Sequence, residues 1–192
     1  MNRKKNQKQS KKPKPDYRWI MLTFVLAMLI SAAMSFLSGR LLGAASSAVS
    51  FLVLIGIILL GIVFDMIGVA VTSAQEAPFH SMASRKLPGA AEALTLLRNA
   101  GRVSSFCNDV IGDICGVVSG AAAAAIAVRA AVGSGQTVYE LILSALVAAF
   151  TIGGKAFGKS FAIGYCTEIV HITAKILYFF KNIPTALRKR RK

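Results

Sequence analysis

Acid is scarce in this chain. Only 8 of its 192 residues are Asp or Glu, against 23 Lys and Arg, so the formal net charge is +15. Charged residues make up 16% of the whole, where a soluble domain carries about a quarter. That shortage argues against a soluble globular enzyme. Histidine is nearly absent: His80 and His171 stand far apart. The three cysteines, Cys107, Cys115 and Cys166, show no CxxC spacing. Zinc needs clustered ligands, so no zinc site is expected. The cysteines read as small buried apolar residues facing a reducing side. No Ser-His-Asp arrangement can be drawn, and no enzymatic activity is expected. The basic excess does not have the distribution of a nucleic-acid binder either. Such a protein spreads Lys and Arg over a folded surface. Here residues 1–18 hold eight of the 23 and residues 181–192 hold six, so no nucleic-acid partner is expected.

What the chain has in excess is apolar sequence, 55% hydrophobic, which also argues against a disordered chain. The predicted class is an all-α integral membrane protein with four transmembrane helices and cytoplasmic amphipathic juxtamembrane helices. A basic disordered tail covers 1–18. A first span follows over about 19–38, uncharged from Trp19 to Leu37. It is longer than the roughly 7–15 apolar residues of a signal peptide and long enough to cross a ~30 Å hydrocarbon core. Further spans are expected at about 49–72, 104–132 and 141–160. Amphipathic segments fill 73–103 and 163–180, and a second basic tail fills 181–192. In the first amphipathic segment Met82, Leu87, Ala90, Ala93, Leu94 and Leu97 recur at helical spacing. In the second, Glu168, His171, Lys175 and Tyr178 line one face, opposite Ile169, Val170, Ile176, Leu177 and Phe180. These helices suit the membrane interface.

Orientation follows from the distribution of basic residues. With the N-terminus inside, the inner segments hold the basic tails and Arg85, Lys86, Arg98 and Arg102. The two short outer loops have only Arg40 and, at the edge of the second, Arg129. The expected protein is multi-pass in the cell membrane, with both termini in the cytoplasm and the lipid bilayer as its first partner. Attraction of the tails to anionic lipid is worth about 1 kcal/mol per basic residue near the surface.

Ionisable residues inside the spans are the main functional clue. Each costs at least ~2.5–3.5 kcal/mol at mid-helix, so such residues face a bundle interior or a cavity and have partners. At ~1.5 Å per residue, Asp65 lies ~10 Å deep, Asp109 ~8 Å and Asp113 ~14 Å from the cytoplasmic side. Lys155 falls ~9 Å from that face of a ~30 Å core, with Lys159 near the face itself. Two readings fit. One is a polar cavity holding a hard cation such as Mg²⁺ on carboxylate, amide and carbonyl oxygens, with Asn108, Thr72, Ser73 and Ser119 as further donors. The other is an internal ion-pair network of Asp65 and Asp113 with Lys155. Gly112, Gly116 and Gly120 form a GxxxGxxxG ridge suited to close helix packing. Gly153, Gly154 and Gly158 are expected to interrupt the fourth span and free backbone carbonyls, which are tolerated at depth where they line a cavity.

The run from Gly153 to Ser160, Gly-Gly-Lys-Ala-Phe-Gly-Lys-Ser, matches the P-loop pattern. A P-loop needs a strand before it and a parallel sheet around it, and this run lies within a membrane span.

The order of parts over about residues 60–180 resembles the CNNM/CorB transmembrane domain, a family associated with magnesium and cobalt transport. Residues 64–73, FDMIGVAVTS, look like the family's first-helix motif. Phe79–Asn99, with Leu94-x-Leu-Leu-Arg-Asn99, is similar to its juxtamembrane helices, and Arg102 matches the Arg that follows. Asn108–Asp113 is similar to its Asn-containing second helix, and Gly154–Ala162 looks like its GEIxPKSLA motif. The resemblance implies a family core over 49–180 that works as a homodimer, an added N-terminal span, and divalent-cation (Mg²⁺) transport or homeostasis. It implies a polar metal site at Asp65, Asn108, Asp109, Asp113 and Gly154. The sequence departs from the family: Asp65 falls near its Ser position and Asp113 near its Asn, Lys155 stands where the family has Glu, and Gly158 where it has Pro. A protonated Lys cannot ligate Mg²⁺ and can take the cation's place. The alternative function is therefore a non-transporting structural or regulatory membrane protein with an Asp–Lys lock and a cytosolic regulatory partner. The cytosolic CBS pair that gates many relatives is expected to be missing.

Overall fold

A computed structural model describes residues 17–44, 47–130 and 136–189. Most of the two basic tails, and parts of both expected outer loops, lie outside these residues. Among the described residues every element is a helix. Helix α1 runs Tyr17–Ala44 and α2 runs Ser47–Ser73. Two short helices follow, α3 at Glu76–Ser84 and α4 at Ala90–Arg98. Helix α5 (Ala100–Ser105) continues through a π-helical turn at Phe106–Gly112 into α6 (Asp113–Ala130). Helix α7 runs Gln136–Gly164 and α8 runs Cys166–Lys189. Among the described residues four stretches are long and apolar enough to cross a membrane: Tyr17–Arg40, Ala48–Ser73, Ala100–Val128 and Val138–Gly164. The chain thus has the make-up of a multi-pass membrane protein.

The bundle is built on α2, which packs against α6 and α7, and α1 packs on α6 and α2. Its core divides by depth. At one end Leu54 meets Ala122, Ala123, Ile126 and Val147. Towards the middle Ile57 packs with Val110, Ile114, Cys115 and Val118, and Ala27, Ile30 and Met34 of α1 close over them. At the other end Val69, Ala70 and Val71 pack with Phe79, Ala93, Leu97, Ala162, Val170 and Ala174. Phe79, Ala93, Val170 and Ala174 are completely buried. Alanine at these contacts lets the helices approach closely, and dispersion then replaces the hydrophobic drive that lipid does not supply.

The expected amphipathic segments are helices, but they cover protein. Ala90, Ala93 and Leu97 of α4 are buried, and Met82 and Leu94 are half-buried. These residues turn towards α2 and α8. Leu87 does not follow the pattern: it is exposed, because it lies in the turn between α3 and α4. Gly89 ends that turn with φ +88°, and a Cβ there would fall 2.9 Å from the Lys175 backbone nitrogen of α8. Only glycine meets both demands without strain. Helix α8 buries Val170 and Ala174 and half-buries Ile169. The rest of its expected apolar face, Ile176, Leu177 and Phe180, stays exposed. Amphipathy here serves two contacts in succession, protein first and surroundings second.

Two expectations about glycine are corrected. Helix α7 is unbroken from Gln136 to Gly164, so the carbonyls at Gly153 and Gly154 remain in the helical ladder and Gly154 offers no freed ligand. A Cβ at Gly154 would strike Ile62 of α2, and one at Gly158 would lie 2.9 Å from Met66 Cγ. Close approach to α2 offsets the conformational cost of about 0.5–1 kcal/mol per helical glycine. The second correction concerns the α6 ridge. A Cβ at Gly116 or Gly120 would meet nothing within 4 Å, so neither packs against another helix within the chain. The small-residue contact lies on α2, where a Cβ at Gly61 would fall 2.9 Å from Cys115 Cβ and Gly68 lies against Asn108.

Candidate intramembrane polar site

The polar residues of α2, the π turn, α6 and α7 converge on Gly112. This glycine is buried, and because it has no side chain, groups from two helices can come up to its backbone. From α7, the Lys155 ammonium donates to the Gly112 carbonyl at 3.1 Å. It also stands 3.9 Å from Asp113 Oδ1. From α2, Asp65 comes to the same point: a Cβ on Gly112 would lie 3.6 Å from Asp65 Oδ1 and 3.3 Å from Lys155 Nζ. A Cβ there would press on the Lys155 ammonium and come into ordinary contact with the Asp65 carboxylate. Lys155 is the better buried member, with 23% of its side chain accessible against 74% for Asp113. The arrangement gathers one cation, two carboxylates and a main-chain carbonyl.

Asn108 occupies a second position within the π turn. Its Nδ2 donates to Ser104 Oγ at 3.2 Å. Its Oδ1 is buried with no hydrogen-bond partner and lies against Gly68. A buried unpaired acceptor costs about 1–3 kcal/mol. π turns are rare and recur at functional sites, and here the turn carries the carboxamide onto α2.

The remaining predicted donors do not join this group. Asp109 is exposed. The Thr72 hydroxyl donates within its own helix, to Val69 O at 2.9 Å and to Gly68 O at 3.3 Å. Ser119 is buried and donates to Gly116 O at 2.9 Å, and Ser73 is exposed. Gly112 belongs to the polar site instead of a packing ridge. Among the described residues no three His, Cys, Asp or Glu side chains gather to hold a metal ion. Of the five residues expected to hold a metal, Asp65 and Asp113 lie about Gly112 and Asn108 lies alongside.

Sequence reasoning missed the π turn, Gly61 and Gly68. The polar pair Asn108-Asp109 in mid-span was a signal for the turn. The spacing of Gly61 and Gly68, two helical turns apart on one face of α2, was a signal for the close approach. Searches against protein-family models, curated proteins and solved structures found no match.

Proposed function

We propose that this chain is a CNNM/CorB-like membrane protein of divalent-cation (Mg²⁺) transport or homeostasis, acting through the polar group about Gly112. The observation that carries the reading is the convergence of Asp65, Asp113 and the Gly112 carbonyl at one point within candidate membrane spans. Intramembrane carboxylates are costly and mark ion paths, and oxygen donors suit a hard cation. The unpaired Oδ1 of Asn108 supplies a further oxygen nearby. The family resemblance adds a homodimer in the cell membrane, with both termini cytoplasmic.

A second reading rests on a different observation. The Lys155 ammonium already donates to the Gly112 carbonyl and neutralises Asp113 in part. In that reading Lys155 stands in for the cation, and the protein is a structural or regulatory partner that does not transport. Mg²⁺ can share the site only if Lys155 swings away or gives up its proton.

Calorimetry of the purified protein in detergent separates the two. Saturable Mg²⁺ binding by the parent, weakened tenfold or more by Asp113→Asn, is expected for cation handling. Binding by Lys155→Glu with none by the parent favours the lock. Absence of binding in every variant refutes a cation site here.

A further inference from the structure

Helix α1 runs parallel to the continuous helix α5–α6. Near its start Trp19 lies under Arg102, and Ala27, Ile30 and Met34 then close over Val110, Ile114 and Cys115. Beyond Met34 the two helices part. Ser35, Ser38 and Gly39 of α1 face Val118, Ala122 and Ala125 of α6 across a cleft of about 170 Å³, room for several waters. Small side chains on both walls keep it open. Hydroxyls elsewhere in the long helices bond back to their own carbonyls, as Thr23 does to Trp19 O at 2.9 Å and Thr151 to Val147 O at 2.7 Å. Ser35 and Ser38 instead line the cleft, and Ser38 is only 7% exposed. A buried hydroxyl costs about 1–3 kcal/mol without a hydrogen bond. Water in the cleft supplies that bond, and an acyl chain cannot. The cleft also has depth. Its floor, Val118, lies ten residues from the span end at Val128, ~15 Å at ~1.5 Å per residue and so half of a ~30 Å core. Arg40 at the end of α1 folds over Phe36, and helical spacing puts both on the opposite side of α1 from Ser38.

We infer that this cleft is a water-filled vestibule, one half of a cation path to the polar group about Gly112, and that an apolar plug closes it at Val118. The plug is the cluster of Ile57, Ile114, Cys115 and Val118 beneath Met34 and Ile30. It stands directly on the site: a Cβ at Gly61 would lie 2.9 Å from Cys115 Cβ and 3.8 Å from the Gly112 carbonyl oxygen. From Val118 to Gly112 is six residues, ~9 Å along the helix. A constriction lined by such side chains holds no continuous water and gates by dewetting. Met34 is the movable part, because an unbranched thioether repacks easily and α1 reaches the plug from outside. The path rests on the cation reading; the hydration of the cleft does not.

Thiol labelling of the full chain in phosphatidylcholine–phosphatidylglycerol vesicles tests both parts, with a sulfonated methanethiosulfonate present on both sides. The reagent reacts only where water reaches the thiol. In a background of Cys107→Ala, Cys115→Ala and Cys166→Ala, single cysteines are placed in neighbouring pairs at equal depth. Ser38→Cys and Val118→Cys line the cleft; Leu37→Cys and Val117→Cys face outwards. The lining residues are 7% and 2% exposed, the outward ones 55% and 68%, so exposure alone predicts the outward pair to react faster. A wet cleft in a membrane reverses that order, and the lining pair is expected to react tenfold or more faster. Equal rates, or faster outward labelling, overturn the vestibule and put hydrocarbon in the cleft. The plug is read with native Cys115 restored. Cys115 is expected to be inert in that chain and to gain tenfold or more in rate with Met34→Ala. An unaltered rate at Leu37→Cys beside Met34→Ala shows that α1 has not come away. A Cys115 that stays inert with Met34→Ala overturns the path and leaves a blind pocket. A wet cleft with no Mg²⁺ binding in calorimetry overturns the cation reading, and the path with it, while the hydrated cleft stands.

Discussion

The contact between Gly68 and Asn108 fixes how closely α2 meets the π turn, and Gly68→Ala tests it. Gly68 is buried. A Cβ there would overlap Asn108 Oδ1 and stand 2.8 Å from its Cγ, inside any real contact distance. Swinging the carboxamide aside would break the bond its Nδ2 donates to Ser104 Oγ. Two effects oppose. Alanine in place of a helical glycine gains about 1 kcal/mol of propensity. Overpacking a filled site costs about 1–3 kcal/mol, and breaking the Asn108–Ser104 bond adds about 0.5–1.5 kcal/mol. The expected net is a loss of about 1–3 kcal/mol. Gly120→Ala is the control, because its Cβ enters open space and the propensity gain should stand alone. Asn108→Ala relieves the overlap and also removes the unpaired buried Oδ1, so it should be nearly neutral alone. Gly68→Ala should then lose most of its cost in the Asn108→Ala background, a coupling of about 1–2 kcal/mol, within the range known for residues in contact. Thermal unfolding in one detergent, followed by circular dichroism, reads all four variants. Equal melting temperatures for Gly68→Ala and Gly120→Ala, or additive effects in the double variant, would refute the close approach of α2 to the π turn.

Two further outcomes follow from packing and ring contacts. Phe79→Ala should cost about 3–5 kcal/mol, because Phe79 is fully buried where α2, α3, α4 and α8 meet. Limited proteolysis should then release α3 and α4 before the long helices. The Arg102 guanidinium lies 5.1 Å from the centroid of the Trp19 ring, and Trp19 is the single tryptophan of the chain. Arg102→Gln should therefore change its emission wavelength and lose about 0.5–1 kcal/mol between α1 and α5. An unaltered spectrum would mean that α1 does not rest there.

Much of the fold is legible in the residues because a bilayer imposes few solutions. Long uncharged runs of this length can satisfy their backbone only as helices, and the observed stretches Tyr17–Arg40 and Ala48–Ser73 match the expected first two spans within a few residues. The third begins earlier than expected, at Ala100, since Arg102 and Val103 continue the same helix. Helical spacing in 73–103 also foretold which side of α4 is buried. The same spacing was silent on what covers it. An apolar face looks alike whether it meets lipid or protein, and here α2 and α8 took the place expected of the membrane surface.

Glycine marks the division most sharply. A residue without a side chain can signal a break, a packing ridge or a cleared space, and sequence gives all three the same letter. Gly154 read as a break and is a packing position on α2; Gly116 and Gly120 read as a ridge and face no helix of this chain. Gly112 read as packing and is the backbone on which Lys155 and Asp65 converge. Composition, hydropathy and charge placement determined a chain with four helices long and apolar enough to cross a membrane and with ionisable residues inside those spans. Which of those residues meet was decided by the π turn and by the paired glycines of α2 and α7, because contact depends on rotation and depth between helices. Those two quantities arise only when the surfaces pack, and no single helix encodes them.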